Sequence, residues 1–303
     1  MKPRHFLTLM DLGPADLNGL IRRAIELKAM RARGVTHMPL VGKTMAMIFE
    51  KSSTRTRVSF ESGMAQLGGA SLFLSPRDTH LGRGEPVEDT ARVMSRMVDV
   101  IVIRANSHAM VEQFGEYSQV PVINALTDLY HPCQLLADIQ TYIEARGDIE
   151  NRTAAWVGDG NNVCHSWMNA ARQFGFKLIV AVPKGYEPDA QLLKACATHV
   201  TLTHDPKEAA HGADIVVTDT WASMGQESEK NERIRAFQGY TVDRALMGLA
   251  RKDAVFMHCL PAYRGVEVAA DVIDGPQSVV WDEAENRMHA QKALLEFLLA
   301  PAR

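Results

Sequence analysis

Met45-Ala46-Met47-Ile48-Phe49-Glu50-Lys51-Ser52-Ser53-Thr54-Arg55-Thr56-Arg57 is an apolar run, a polar turn, and then a cluster of hydroxyls and guanidiniums that opens a helical pattern. Met45–Phe49 reads as a buried strand, because it is a continuous apolar run of strand length. Ser53–Leu67 reads as a helix stopped by Gly68-Gly69. A helix start carries unsatisfied backbone N–H groups and partial positive charge. Ser53, Thr54, Arg55, Thr56 and Arg57 at that start make an anion site suited to phosphate, which takes bidentate guanidinium contacts. The plainer alternative is an N-cap followed by a solvated basic turn.

The same alternation extends in both directions. Upstream, Leu17, Leu20, Ile21, Ala24 and Leu27 recur at helical spacing over residues 15–31. Downstream, strands are expected at Ser71–Leu74, Val98–Ile103 and Val120–Ile123, with helices at Pro86–Met97, Ala109–Tyr117 and Cys133–Ala145. The pattern restarts after Gly147. Strands are expected at Ala154–Val157, Leu178–Val182, Val200–Thr203, Ile215–Val217, Val255–Met257 and Val279–Trp281. Helices are expected at Val163–Phe174 and Pro188–Ala197, and a C-terminal one at Glu283–Leu299. Such alternation implies parallel sheets covered by helices, and the restart implies an α/β chain of two such domains with a boundary near Gly147–Arg152. In these sheets ligands bind at the carboxyl ends of strands. The polar clusters after strands therefore argue for an enzyme with a cleft between its domains.

Length and composition agree. A chain of 303 residues suggests two domains of about 150 residues each. With 33 basic and 36 acidic side chains the net charge is −3, which argues against a nucleic-acid or anionic-membrane binder but allows a local basic pocket. No apolar run is long enough to span a membrane, and residues 1–11 lack the features of a secretory or transit peptide, so a cytoplasmic location is expected. Cys133, Cys164, Cys196 and Cys259 are scattered without metal-ligand spacing and read as free thiols.

Each remaining cluster has a functional and a structural reading. Arg104 ends an apolar strand, as a surface side chain or as a third guanidinium for a phosphate or a polarised carbonyl. His131-Pro132-Cys133-Gln134 starts a helix. There His131 is a buried capping residue or a hydrogen-bond donor to a carbonyl oxygen, with Gln134 adding amide contacts. Gly158-Asp159-Gly160-Asn161-Asn162 is half of a dinucleotide fingerprint, but it lacks the third glycine, and no acidic residue ends the next strand. Its asparagines are equally suited to a carboxylate at a helix start. Asp219-Thr220-Trp221-Ala222-Ser223-Met224-Gly225 is a tight-turn loop, or one in which Asp219 and Ser223 hold an ammonium. Cys259, within His258-Cys259-Leu260-Pro261, is a nucleophile, a polar contact or packing. Arg287 is a surface charge or reaches back to the site.

Together, Ser53–Arg57, His131–Gln134, Asp219–Gly225 and His258–Pro261 occur in the order found in the aspartate/ornithine carbamoyltransferase family, and the whole chain resembles its ornithine branch. The resemblance implies a carbamoyl-phosphate domain over residues 1–147 plus the helix 283–303, and an ornithine domain over residues 148–282. It implies that the last helix packs back on the first domain, and that three copies assemble with active sites shared between neighbours. Ser53, Thr54, Arg55, Thr56, Arg57 and Arg104 would hold the phosphate, while His131 and Gln134 contact the carbamoyl group. Asn162 and the Met224 backbone would take the ornithine α-carboxylate, and Asp219 and Ser223 its α-ammonium. Cys259 and the Leu260 carbonyl would lie near the reacting amine and carbamoyl nitrogen, with Arg287 completing the site. His80-Leu81-Gly82 matches a loop that in this family enters the neighbour's site, where many members carry glutamine in place of His80. The implied catalytic residues are Arg104, His131 and Cys259, and no metal or cofactor is called for.

The reaction so implied is transfer of the carbamoyl group of carbamoyl phosphate to the neutral δ-amine of L-ornithine. The competing readings are a carbamoyltransferase for another amine, such as acetylornithine or putrescine, a non-catalytic relative that binds a partner, and a nicotinamide-dependent dehydrogenase.

Overall fold

The computed structural model describes residues 3–75, 77–78, 84–221 and 230–300. It divides into two compact units. Unit 1 runs to Gln140 and resumes at Glu285; unit 2 is Thr141–Ala284.

Unit 1 comprises α1 (Pro14–Ala32), β1 (Thr44–Phe49), α2 (Thr54–Gln66), β2 (Ala70–Leu74), α3 (Val87–Met94), β3 (Val100–Arg104), α4 (His108–Tyr117) and β4 (Val122–Leu126), with most of α5 (Pro132–Arg146). Its four strands form a parallel sheet in the order β2-β1-β3-β4. Every residue of β3, and β1 from Met45 on, is buried, which is why both read as unbroken apolar runs. Ile48, Ile101, Ile103, Val111 and Phe114 lie in the core on one face of this sheet.

Unit 2 comprises β5 (Thr153–Val157), α6 (Asn162–Phe174), β6 (Lys177–Ala181), α7 (Ala190–Ala195), β7 (Val200–Thr203), α8 (Pro206–Ala210), β8 (Ile215–Thr218), α9 (Lys230–Ala236), α10 (Arg244–Met247), β9 (Val255–His258) and α11 (Ala270–Ile273). Its sheet is also parallel, in the order β7-β6-β5-β8-β9. Val157, Val216, Phe237, Val242 and Phe256 share one core cluster.

The last helix, α12 (Val280–Leu299), returns to unit 1. Leu294 and Leu295 are fully buried, and Arg23 and Lys28 of α1 bond Glu296 (2.9 Å) and Asn286 (2.8 Å) of α12. Close approach to α2 depends on Gly63, where a Cβ would stand 3.2 Å from Lys292 Cγ. Two parallel sheets covered by helices, with the last helix on the first domain, is the expected fold.

One expected strand is not formed. A single bridge joins Ser278, just before Val279–Trp281, to Phe256 of β9, and the chain turns into α12 at Val280. Asp282 and Glu283 in the first turn of α12 favour the helix, as acidic groups do at a helix N-terminus.

Candidate functional site

In unit 1 the strand order changes direction between β1 and β3, and the carboxyl ends of those strands are adjacent: Phe49 is in register with Arg104. Such a switch point opens a crevice in a parallel sheet. The chain after β1 enters α2 with Ser53 as N-cap, its hydroxyl accepting from Thr56 N–H (3.4 Å). Ser53 Oγ also donates to Thr56 Oγ1 (3.0 Å), and Arg287 of α12 donates to Thr56 Oγ1 (2.8 Å). Arg104, His131, Gln134 and Arg287 are all buried.

His131 reports how closely this basic group is gathered. Its imidazolium is held well below the usual histidine range, first by burial and then by repulsion from Arg287, Arg104 and Arg55. Three guanidiniums from α2, β3 and α12 thus act on one neutral imidazole. Gln134, behind it on α5, donates to Asp138 (2.8 Å). Cys133 bonds the Asn124 carbonyl (3.4 Å), and burial pushes its thiol up to about 12, so it is inert packing.

Arg57 is not brought to this cluster. It is exposed, pairs with Glu61 (3.0 Å), and its guanidinium stacks 3.8 Å above the Phe73 ring. Thr54 is at the first position of α2 and exposed. His80 lies outside the described residues, as do Ser223 and Met224.

In unit 2 the switch point falls between β5 and β8, and the predicted loops after both strands meet there. Asp219, after β8, is buried. Its carboxylate accepts from Thr220 N–H (2.8 Å), the Cys259 thiol (3.2 Å) and the Asn161 amide (2.8 Å). Asn162 opens α6 half-buried. Its neighbour Asn161 is the N-cap and joins α6 to Asp219. Only the asparagine pair itself signalled this, since Asn caps well and either residue would serve.

The glycines of this loop have a structural purpose. A Cβ on Gly160 would fall 2.4 Å from Pro188 N and 2.6 Å from Tyr186 O, so the chain at residues 186–188 fills the space against it. Asp159, between the glycines, is buried and pairs with Arg233 (2.8 Å), which also donates to the Trp221 carbonyl (2.9 Å). Burial raises the Asp159 carboxyl to about 6 against the pull of Arg233.

Behind Cys259, His258 accepts at Nδ1 from Leu260 N–H (2.9 Å) and, in that tautomer, donates from Nε2 to the wholly buried Glu267 (3.2 Å). Glu283 accepts from His258 N–H (2.9 Å). Leu260 is in the left-handed region, φ 57°, before a cis peptide to Pro261. Arg233, Glu267 and Glu283 carried no motif signal. Ligand atoms of Asp219, His258 and Cys259 lie within 4.8 Å of one another, but a metal there would displace the hydrogen bonds just described.

Two family models match. The one described as "Aspartate/ornithine carbamoyltransferase, carbamoyl-P binding domain" covers residues 4–144, and the one described as "Aspartate/ornithine carbamoyltransferase, Asp/Orn binding domain" covers residues 150–298. Ornithine carbamoyltransferase of Methylococcus capsulatus is 64% identical over 99% of this chain and 99% of its own length. That of Hydrogenovibrio crunogenus is 61% identical over the whole of both chains. The solved ornithine carbamoyltransferase of Pyrococcus furiosus superposes with a TM-score of 0.95 at 48% identity, covering 100% of this chain and 99% of that one. The anabolic enzyme of Campylobacter jejuni gives 0.91 at 44%, covering 98% and 99%.

Proposed function

The chain belongs to the aspartate/ornithine carbamoyltransferase family, and from that premise we infer that it transfers the carbamoyl group of carbamoyl phosphate to the δ-amine of L-ornithine, giving L-citrulline and phosphate. The observation that carries the reading is the gathering of Arg55, Arg104 and Arg287 around a neutral His131 at the switch point of unit 1. That charge distribution suits an acyl phosphate dianion such as carbamoyl phosphate, whose carbonyl must be polarised.

In this reading residues 1–147 with 283–303 form the carbamoyl-phosphate domain, and residues 148–282 form the ornithine domain. Ser53, Thr54, Arg55, Thr56 and Arg104 hold the phosphate, with His80 from a neighbouring copy. Arg57 is retained only as a support for β2. His131 donates its N–H to the carbonyl oxygen, with Gln134 on the carbamoyl nitrogen and Arg287 completing the site. A neutral imidazole donates without adding a fourth cation. Asp219 takes the ornithine α-ammonium with Ser223, while Asn162 and the Met224 backbone take the α-carboxylate. Cys259 and the Leu260 carbonyl meet the reacting amine. The neutral δ-amine attacks the carbonyl carbon, and a tetrahedral intermediate forms. The carbon–oxygen bond to phosphate then breaks as the amine loses its proton. Positioning two bound substrates supplies much of the rate. No metal or cofactor takes part. A trimer with shared active sites, a cytoplasmic location and a place in arginine biosynthesis belong to the same reading.

The test is ureido-product formation from carbamoyl phosphate with ornithine, acetylornithine, putrescine or aspartate. Product with ornithine alone supports both ligand sets. Product with another amine keeps the phosphate site and overturns the Asp219 assignment. No product with any of them overturns the activity.

A further inference from the structure

Unit 1 holds a cavity of about 220 Å³ that none of the groups above uses. Its floor is carbon, from Leu27 and Met30 of α1 and Val35 of the following turn. Its polar wall is Arg31 at the end of α1, Thr36 and His37 beyond it, Gln66 at the end of α2 and Lys292 of α12, and no carboxylate lines it. Thr56 and Gln66 sit at opposite ends of α2, about 15 Å apart along the axis.

Lys292 is the unusual member. It is 5% exposed, and its ammonium donates to Gln66 Oε1 (3.0 Å). Among the described residues no carboxylate forms an ion pair with Lys292 or Arg31. Glu296 acts on Lys292 from a distance, but its own oxygens are taken by Arg23 (2.9 Å) and His37 (3.0 Å). Burial lowers the Lys292 ammonium below the usual lysine range, and Arg31 and Arg23 repel it further. A buried ammonium is normally paired, so the cavity is short of one negative charge.

We propose that this cavity binds a small organic anion, its carboxylate between Lys292 and Arg31 and its short apolar body on Leu27, Met30 and Val35. The half-apolar lining favours such a ligand over inorganic phosphate, which has no apolar part to bury. The bound anion ties α1 to α12, and α12 rests on α2 through Gly63.

The experiment is calorimetric titration with sodium butyrate at constant ionic strength, beside its neutral amide, butyramide, and inorganic phosphate. Butyrate is expected to saturate one site per chain, and butyramide to give no binding. Lys292→Met and Arg31→Gln are each expected to weaken butyrate about tenfold or more, as loss of a charge-assisted contact does. Arg31 is exposed, so Arg31→Gln keeps the fold even where Lys292→Met does not. An unchanged carbamoyl-transfer rate in the variants shows that they are folded. Absence of saturable butyrate binding, or equal binding in both variants, overturns the site. Inorganic phosphate is expected to bind at the Arg55 and Arg104 site whatever the cavity does, so phosphate binding that Lys292→Met and Arg31→Gln weaken, in place of butyrate, overturns the ligand class.

Discussion

His131 is kept neutral first by its burial and then by three arginines that come from positions 55, 104 and 287 of the chain. We expect its imidazole resonances to show no protonation step near about pH 6.5, where an ordinary histidine titrates. The unfolded chain takes up that proton below about pH 6.5 and the folded chain does not. His131 therefore lends stability that is full above this pH and lost as pH falls below it. In denaturant titrations His131→Gln should flatten that part of the stability profile. It should also lower kcat by about a hundredfold or more, the usual effect of removing a donor to a developing oxyanion. Arg55 and Arg57 teach a different lesson. The sequence offers them as equals, but two residues on a helix are about 200° apart, so only one can face the sheet's carboxyl end. Arg55→Ala is expected to reduce kcat/KM by about two orders of magnitude, while Arg57→Ala changes it by about threefold or less. Equal losses would return Arg57 to the site.

At the scale of elements, buried strands were the most legible part of the chain. Met45–Phe49 and Val100–Ile103 are apolar on both faces because helices cover both sides of a parallel sheet, and an unbroken apolar run is a strong local signal. Val279-Val280-Trp281 carries the same signal, but the one bridge is made by Ser278 just before it, α12 begins at Val280, and Trp281 is 60% exposed. Whether a short apolar run pairs as a strand depends on what lies beside it, which sequence alone does not record. The polar anchors were legible in the same unequal way. Asp219 and Cys259 announced themselves through motifs, whereas Arg233, which ties the loop after β5 to the Trp221 carbonyl, did so through none. Removing it leaves Asp159 buried without its cation. Arg233→Met is expected to cost about 3 kcal/mol in equilibrium unfolding. A loss below about 1 kcal/mol would mean that Asp159 is already neutral in the folded chain.

At the scale of the whole molecule, rate and pH should be linked through the substrate. His131 does not titrate in the working range, so the acid limb of kcat/KM should follow deprotonation of the ornithine δ-amine, rising toward alkaline pH without a step near 6.5. A flat profile between pH 6 and 9 would contradict the proposed nucleophile. The division into units also makes α12 indispensable to unit 1, because Leu294 and Leu295 are wholly buried and Arg287 reaches Thr56. A chain ending at Ala284 should lose hydrogen-exchange protection throughout β1, β3 and β4, while β5, β6 and β8 remain protected.

That discontinuity has a consequence for synthesis. On the ribosome the unit begun first is the one finished last. Unit 2 is contiguous and emerges ahead of α12, so it needs no later segment to close. The sheet of β1 to β4, made more than a hundred residues earlier, waits for α12 with part of its apolar surface still open. The newborn chain is thus open to misassociation and to chaperone capture until its last helix is in place.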